Sequence, residues 1–223
     1  MSSANRSRFK SIITRAKSMN PVKRVHNRLI RHKIRHYQDI EGWLSVNEAV
    51  TLHRLASSLP PQSTVVEVGS WKGKSTYCLA KGLRDGRVIA IDPFDSSGED
   101  GSRENYEQQK GEEPLLDQFR NQMKRLEVLD KIHILQGFSS QFVGCLKEID
   151  LLFIDGDHSQ QACLFDFQNY SPALRRGGYL AFHDFFPSRV EFGPTWVVQN
   201  QVIPSKQYHF VGLFDSLWVA RKM

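Results

Sequence analysis

The chain has 223 residues, of which 40% are hydrophobic and 24% charged, and its formal net charge at pH 7 is +6. This length and apolar content are enough for one large hydrophobic core, so we expect a single globular domain. The sequence contains neither the ~20 consecutive apolar residues of a membrane-spanning helix nor the apolar segment of a secretory signal peptide. Its three cysteines, Cys78, Cys145 and Cys163, have no metal-binding spacing. This favours reduced thiols and a cytoplasmic protein.

The positive charge is concentrated in the first forty residues. Residues 1–40 contain eleven Lys or Arg and one acid, whereas residues 41–223 contain nineteen basic and twenty-three acidic residues. Asn20 and Pro21 favour the start of a helix. Apolar residues recur after them at roughly helical spacing, namely Val22, Val25, Leu29, Ile30, Ile34 and Tyr37. We therefore predict a basic helical arm over 1–40 in front of a mildly acidic domain over 41–223.

A basic amphipathic helix has several alternative partners. It packs on its own domain or on a second copy of the chain, as in a homodimer, or it makes a peripheral contact with an anionic membrane. Packing is the favoured interpretation, and the membrane contact stays open as a second one. Nucleic acid is disfavoured, because the domain after the arm is acidic and a phosphate track needs basic residues near the site.

After the arm, short apolar runs alternate with segments of helical periodicity. The predicted helices are 46–58, 74–83, 115–129, 139–146 and 160–174. The predicted strands are 63–68, 87–91, 131–136, 150–155 and 179–183, followed by an antiparallel pair at 208–213 and 216–221. The segment 95–113 is predicted to be a long polar binding loop, and 185–205 an insert beside the site. This alternation predicts an α/β fold with a mainly parallel seven-stranded sheet and helices on both faces.

Polar residues follow every predicted parallel strand. They are Glu67 and Gly69, then Asp92, Ser139 and Ser140, then Asp155, Asp157 and His158, then His183 and Asp184. Because ligands of such sheets bind beyond the carboxyl ends of the strands, these residues form the candidate site.

One hypothesis for this site is a P-loop NTPase. Gly69, Gly73, Lys74 and Ser75 resemble the glycine-rich phosphate loop, and Asp155 ends an apolar strand as a magnesium-binding aspartate does. However, three residues separate the two glycines, whereas the P-loop needs four. The shorter loop would move its backbone N–H groups off the phosphate.

The second hypothesis is an S-adenosylmethionine site. Glu67, Gly69, Ser70 and Gly73 would form a turn whose backbone approaches the amino-acid end of the ligand, and glycine avoids a blocking Cβ there. Asp92, at the end of the second strand, could accept hydrogen bonds from both ribose hydroxyls. The order and spacing of these residues favour this hypothesis.

Two motifs resemble the class I S-adenosylmethionine-dependent methyltransferases, which have a Rossmann-like fold. Residues 66–76 (VEVGSWKGKST) and 153–159 (FIDGDHS), followed by Gly177-Gly178 and His183-Asp184, are most similar to the metal-dependent small-molecule O-methyltransferases of the macrocin and caffeoyl-CoA types. The resemblance runs from about Gly42 to the C-terminus. The caffeoyl-CoA branch has Asp-Asn where this chain has His183-Asp184.

The resemblance implies a role for each candidate residue. The methionine end of S-adenosylmethionine would contact Glu67, Gly69, Ser70, Gly73 and Ser75, and Asp155 would also border the cofactor. Asp92 would hold the ribose, and the segment containing Ser139 and Ser140 would approach the adenine. The metal ligands would be Asp155, His183 and Asp184.

The chemistry of these side chains agrees with methyl transfer to oxygen. Mg²⁺ prefers carboxylate oxygens, which Asp155 and Asp184 supply, and a bound cation lowers the pKa of an acceptor hydroxyl. His158 could take the hydroxyl proton, and Asp157 could orient its imidazole or join the metal shell. We therefore predict a cytoplasmic O-methyltransferase that uses S-adenosylmethionine and Mg²⁺ or another divalent cation on a sugar, polyketide or phenol. The alternatives are a P-loop-like NTPase and a methyltransferase-fold scaffold recruited through the arm.

Overall fold

The structure is a computed structural model that describes residues 21–97 and 103–223. Its helices are α1 (Pro21–Lys33), α2 (Val46–Ser57), α3 (Lys74–Gly82), α4 (Arg103–Lys110), α5 (Leu115–Arg125), α6 (Gln160–Tyr170), α7 (Gly193–Val197) and α8 (Ile203–Ser205). A π-helical turn, Val198–Val202, joins the last two. The strands are β1 (Ser63–Val68), β2 (Gly86–Asp92), β3 (Ile132–Gln136), β4 (Ile149–Ile154), β5 (Leu174–Phe182), β6 (Tyr208–Phe214) and β7 (Leu217–Lys222).

The seven strands form one sheet in the order β3-β2-β1-β4-β5-β7-β6. Strands β1 to β5 pair in parallel, whereas β7 is antiparallel to both β5 and β6. The chain runs outward from β1 to β3, then returns to the other side of β1 with β4. This reversal leaves a crevice between β1 and β4, which is where open α/β sheets bind ligands. The predicted Rossmann-like architecture with a closing antiparallel pair is confirmed.

Two hydrophobic clusters cover the two faces of the sheet. On one face α2, α3 and α5 pack through residues such as Leu52, Leu79 and Phe119. On the other face Tyr170 of α6 and Val197 of α7 pack against the sheet. Successive residues of a strand point to opposite faces, so the apolar run at 151–154 of β4 contributes to both clusters.

Helix α1 packs on its own domain through its C-terminal end. Ile30 and Ile34 are buried together with Tyr37 of the following 3₁₀ turn (Arg35–Asp39), in the cluster that contains α2 and α3. Val25 and Leu29, which share the predicted apolar spacing, are instead exposed. Residues 1–20 of the predicted arm lie outside the described residues. No helix among the described residues is both long and apolar enough to span a membrane.

Several predicted boundaries are wrong. Part of the predicted loop 95–113 is helix α4, whose polar sequence RENYEQQK has no apolar periodicity to reveal it; residues 98–102 lie outside the description. Residues 174–178, predicted as helix end and turn, begin strand β5. The predicted helix 139–146 is only a 3₁₀ turn, Ser139–Phe142. The tail strands turn at Asp215 and Ser216, one residue later than predicted.

Candidate active site

A cleft of about 540 Å³ opens at the carboxyl ends of the parallel strands. It contains eleven of the site residues predicted from the sequence. They are Gly69, Ser70, Ser75, Asp92, Ser139, Ser140, Asp155, Asp157, His158, His183 and Asp184. Glu67 lies beneath the cleft, fully buried in β1. The sheet thus brings together residues separated by more than 110 positions in the chain.

Gly69 allows the loops after β1 and β4 to touch. Its φ is +86°, and a Cβ there would overlap the carbonyl group of Asp155 and lie 2.8 Å from Cα of Gly156. Its N–H donates to the Ile91 carbonyl at 2.9 Å, and the Asp155 N–H donates to the Val68 carbonyl at 2.8 Å. Only glycine fits this combination of positive φ and backbone contact.

Gly73 does not line the cleft, although it was predicted to contact the cofactor. Its φ is +89°, and a Cβ would lie 2.7 Å from Cε of Met123 and 2.9 Å from Cε2 of Phe119. The glycine therefore lets the start of α3 pack closely against α5. Its contact with the cofactor stays a prediction.

Asp92 fixes the glycine turn from the end of β2. Its Oδ2 accepts the N–H groups of Ser70 and Trp71, both at 2.8 Å, and its Oδ1 accepts the N–H of Phe94 at 2.6 Å. Burial raises the pKa of this carboxyl, and the three backbone donors act in the opposite direction. Asp92 also borders the cleft, so the same carboxylate orders the turn and faces a ligand.

Glu67 is a buried acid with one satisfied oxygen. Oε2 accepts the Ser70 hydroxyl at 2.9 Å and also the Thr76 hydroxyl. Oε1 is buried with no hydrogen-bond partner among the residues that the structure describes. Burial raises the pKa of Glu67 from 4.5 to about 7, against the hydroxyls of Ser75, Thr76 and Ser70, which lower it. This oxygen could accept a hydrogen bond from an ammonium or hydroxyl group of a bound ligand.

This shift gives the protein a testable pH dependence. Because the folded pKa lies above the unfolded value, the folded state binds more protons, and stability falls as the pH rises from about 4.5 to about 7. Glu67→Gln cannot ionise, so we expect it to stabilise the cofactor-free protein at pH 8 by on the order of 3 kcal/mol relative to wild type. Urea unfolding at pH 5 and pH 8 measures this. The exposed Glu104→Gln is the control, and parallel pH profiles for wild type and Glu67→Gln would contradict the assignment.

Asp166 of α6 enters the cleft beside the segment predicted to approach the adenine. It is 3% exposed, and its Oδ1 accepts the Ser139 hydroxyl at 2.5 Å. The Tyr170 hydroxyl donates to the Ser139 carbonyl at 2.6 Å. Burial raises the pKa of Asp166 to about 6, whereas the bond from Ser139 lowers it. No motif in the sequence marks Asp166, because it lies inside a helix, seven residues after the strand-end motif 153–159.

The opposite end of the cleft carries an acidic and histidine-rich centre. Nδ1 of His183 lies 3.0 Å from Oδ1 of Asp155 and 3.3 Å from Oδ2 of Asp184. The same Oδ2 lies 3.2 Å from Nε2 of His158. Ligand atoms of Asp155, His158 and Asp184 all fall within 4.8 Å of one another, so these three side chains could hold a metal ion.

His183 lies behind this group, supported by Glu48. The histidine side chain is 4% exposed, and its Nε2 is 3.4 Å from Oε2 of Glu48. Burial alone would lower the pKa of His183, but the carboxylates of Asp155, Asp184 and Glu48 raise it well above its ordinary value. The imidazolium in turn lowers the pKa of Glu48 to about 2, against the effect of burial. His183 was predicted as a metal ligand; its Nδ1 contacts the carboxylates of both Asp155 and Asp184, and its role as a ligand stays a prediction.

Glu48 is a second residue of the site that no sequence motif marks. Its Oε2 accepts the Ser45 N–H at 2.7 Å, completing a capping box at the start of α2. Its Oε1 accepts the N–H and hydroxyl of Ser216 at 2.9 and 2.7 Å. The S-x-x-E pattern is an ordinary helix start, so nothing in the sequence distinguishes this glutamate.

Asp157 was predicted to orient the imidazole of His158, but the acid paired with that ring is Asp184. Oδ1 of Asp157 instead accepts the Ser159 N–H at 2.7 Å, and Ser159 caps α6. Phe192 stacks on the His158 ring with 5.1 Å between centroids. The insert 185–205 therefore contributes to the site through Phe192.

An aromatic cluster borders the mouth of the cleft. Tyr106 of α4 lies edge-on to Trp43 and Trp71, with ring centroids 5.3 and 4.9 Å apart. Trp43 precedes α2 and is 51% exposed. The Lys72 ammonium donates to the Gln109 carbonyl at 2.5 Å and to Glu41, so α4 is held against the glycine turn. These rings, which are tilted or edge-on to one another, offer an aromatic surface to a molecule entering the cleft.

Comparison with known proteins agrees with this arrangement. A family model described as a methyltransferase domain matches residues 66–185, more than half of the chain. The uncharacterized protein R132 of Acanthamoeba polyphaga mimivirus is 29% identical over 123 residues, which are 55% of this chain and 51% of that protein. The chain thus spans about half the length of this curated relative.

Two solved structures share the fold. The O-methyltransferase NovP has a TM-score of 0.62 at 15% identity, covering 80% of this chain and 81% of its own. The O-methyltransferase TomG from Streptomyces achromogenes, involved in tomaymycin synthesis and solved in complex with SAM, has a TM-score of 0.60 at 14% identity. That match covers 94% of this chain and 93% of TomG. Because the sequence identities are only 15% and 14%, the structural similarity establishes the shared fold alone.

Proposed function

The chain belongs to the methyltransferase domain family as a class I S-adenosylmethionine-dependent enzyme, and we propose that it methylates a hydroxyl oxygen of a small molecule with the help of a divalent cation. The observation that carries this proposal is the group of Asp155, His158 and Asp184 in the cleft beside the glycine turn. Carboxylates and an imidazole at that position suit the activation of a hydroxyl group.

The residues of the cleft suit S-adenosylmethionine, which supplies the methyl group when bound. Oε1 of Glu67, which has no donor among the described residues, is suited to the ammonium of the methionine part. Asp92 would accept from the ribose, and Ser139, Ser140 and Asp166 would border the adenine. Ser70 and Ser75 line the cleft beside Gly69 and would face the carboxylate end.

The donor set also fits a divalent cation. Asp155 and Asp184 would be its oxygen ligands, as Mg²⁺ prefers, and His158 offers a third ligand atom within the same group. When bound, such an ion lowers the pKa of an acceptor hydroxyl. His183 would hold both carboxylates in place by its contacts at 3.0 and 3.3 Å.

His158 is the proposed base. Asp184 holds one side of its ring at 3.2 Å, and Phe192 fixes the plane of the ring. An imidazole titrates near neutral pH and accepts a proton from an activated hydroxyl. The aromatic cluster of Trp43, Trp71 and Tyr106 would exclude water from the acceptor and favour a flat one, such as a phenol, or the apolar face of a sugar or polyketide.

The alternative functions are less well supported. A P-loop-like NTPase is not favoured, because the family match covers the whole glycine turn, and the Lys74 ammonium donates to the Gly42 carbonyl at 2.9 Å. A scaffold protein without catalytic activity would not need the acidic and histidine-rich centre in the cleft. We also propose a cytoplasmic location, since the buried thiols of Cys78 and Cys163 are unpaired.

Titration calorimetry with S-adenosylhomocysteine tests this proposal. We expect micromolar binding, and tighter binding or additional heat when Mg²⁺ is present. A panel of phenols and sugars, assayed with S-adenosylmethionine carrying a labelled methyl group, then identifies the acceptor. Failure of the folded protein to bind S-adenosylhomocysteine would overturn the cofactor assignment. Identical labelling in chelator and in Mg²⁺ would overturn the cation while leaving the methyl transfer intact.

A further inference from the structure

Helix α1 has a second apolar face that the domain does not cover. Its inner face buries Ile30 at 3% exposure, and Ile34 just beyond the helix is fully buried. Val25 and Leu29 are 62% and 58% exposed. Residues four apart lie on one side of a helix, and Leu29 is turned by about 100° from Ile30, so the exposed pair points away from the core.

The exposed pair lies within a strongly cationic helix. The sequence of α1, PVKRVHNRLIRHK, contains five Lys or Arg and no acid. Arg28, Arg31 and Lys33 are exposed around Val25 and Leu29. Other exposed aliphatic side chains, such as Val190 and Val211, lie on β6 or in loops outside this charged segment. Isolated exposed apolar residues are normal on protein surfaces, whereas an apolar pair ringed by cations is a recognition feature.

We propose that this face, formed by Val25, Leu29, Arg28, Arg31 and Lys33, binds the surface of an anionic phospholipid membrane. Two aliphatic side chains can enter the boundary between headgroups and acyl chains, and the surrounding cations attract anionic headgroups. The rest of the chain, 41–223, has an excess of acidic residues. A negative membrane therefore repels the domain and attracts α1, which orients the protein with this helix toward the lipid.

Two other occupants fit the face less well. Nucleic acid would engage the cations but gains nothing from exposed valine and leucine. A second copy meeting the same face across a two-fold axis would set two cationic helices against each other. Lipid is the partner that uses both the apolar and the charged side chains.

Vesicle sedimentation of the full chain tests the proposal. We expect binding to phosphatidylcholine vesicles that contain phosphatidylserine, little binding to phosphatidylcholine alone, and weakening as salt is raised. Val25→Asp with Leu29→Asp should reduce the affinity by about tenfold or more. Val190→Asp with Val211→Asp, at 52% and 44% exposure in wild type, is the matched control and should bind as wild type does.

The outcomes separate this proposal from the enzymatic one. S-adenosylhomocysteine binding and thermal unfolding should be unchanged in the Val25 and Leu29 variant, because neither residue reaches the cleft. Equal vesicle binding by this variant and wild type would overturn the proposal. A wild type that does not bind anionic vesicles would also overturn it. A third outcome is that wild type forms a dimer, the variant does not, and neither protein binds vesicles. This outcome would identify the face as a subunit contact instead.

Discussion

Gly69→Ala is expected to abolish S-adenosylhomocysteine binding and to lower the free energy of unfolding by about 2–5 kcal/mol. Two costs combine at this position. A non-glycine residue at φ +86° is strained, and the new methyl group would overlap the Asp155 carbonyl. The loops after β1 and β4 must separate to accept it, which displaces both the glycine turn and Asp155. Urea unfolding and titration calorimetry measure the two effects.

Gly144→Ala measures the first cost alone, which is the backbone strain of a non-glycine residue at positive φ. Its φ is +78°, close to that of Gly69, but a Cβ there would meet nothing within 4 Å. We expect this control to lose only about 1 kcal/mol and to keep ligand binding. If Gly69→Ala were no less stable than Gly144→Ala and still bound ligand, the close approach of the two loops would not constrain the site.

Asp155→Ala is expected to reduce methyl transfer by at least about 100-fold and to remove Mn²⁺ binding, measured by the spectrum of the free ion. The substitution takes away one of two carboxylates that could hold a cation and leaves His183 with Glu48 and Asp184. Asp85→Ala, an exposed acid before β2, is the control and should behave as wild type. Unchanged Mn²⁺ binding by Asp155→Ala would contradict the metal assignment.

His158→Ala, studied beside Asp155→Ala, separates the two roles available to this histidine. As a base, its loss should reduce transfer more than tenfold while Mn²⁺ binding stays near wild type. As a ligand, its loss should weaken Mn²⁺ binding as well. The geometry permits both, because its Nε2 lies 3.2 Å from a carboxylate of the same group.

The order of strands and helices was predicted well from the sequence, because it depends on local patterns of apolar and polar residues. The strands β1 and β4 each contain a short apolar run, and the residues that follow them, Gly69 and Asp155, line the cleft. Helix α4 was missed because its stability comes from contacts made elsewhere in the chain, through Tyr106 and the Gln109 carbonyl. Periodicity cannot reveal such a helix.

The candidate site was predicted only in part, for a related reason. Motif spacing located Asp155, His158 and Asp184, but it could not predict which side chains each of them contacts. The pairing of His158 with Asp184 and the position of His183 against Glu48 arise from the meeting of α2, β4 and β5. Glu48 is more than 130 residues from His183 in the chain, and only the folded sheet brings them into contact.

The order of strands has a consequence for synthesis on the ribosome. Strand β7 lies between β5 and β6, so β6 has no partner in the sheet until β7 has emerged. Ser216, at the turn before β7, donates to Glu48 and accepts the Phe185 N–H at 2.9 Å. Until that turn is made, Glu48, which contacts His183, lacks its hydrogen bonds from Ser216. A nascent chain that already contains every residue of the cleft therefore still lacks the complete acidic and histidine-rich centre. We expect it to bind ligand only after β7, the last strand of the sheet, has been synthesised.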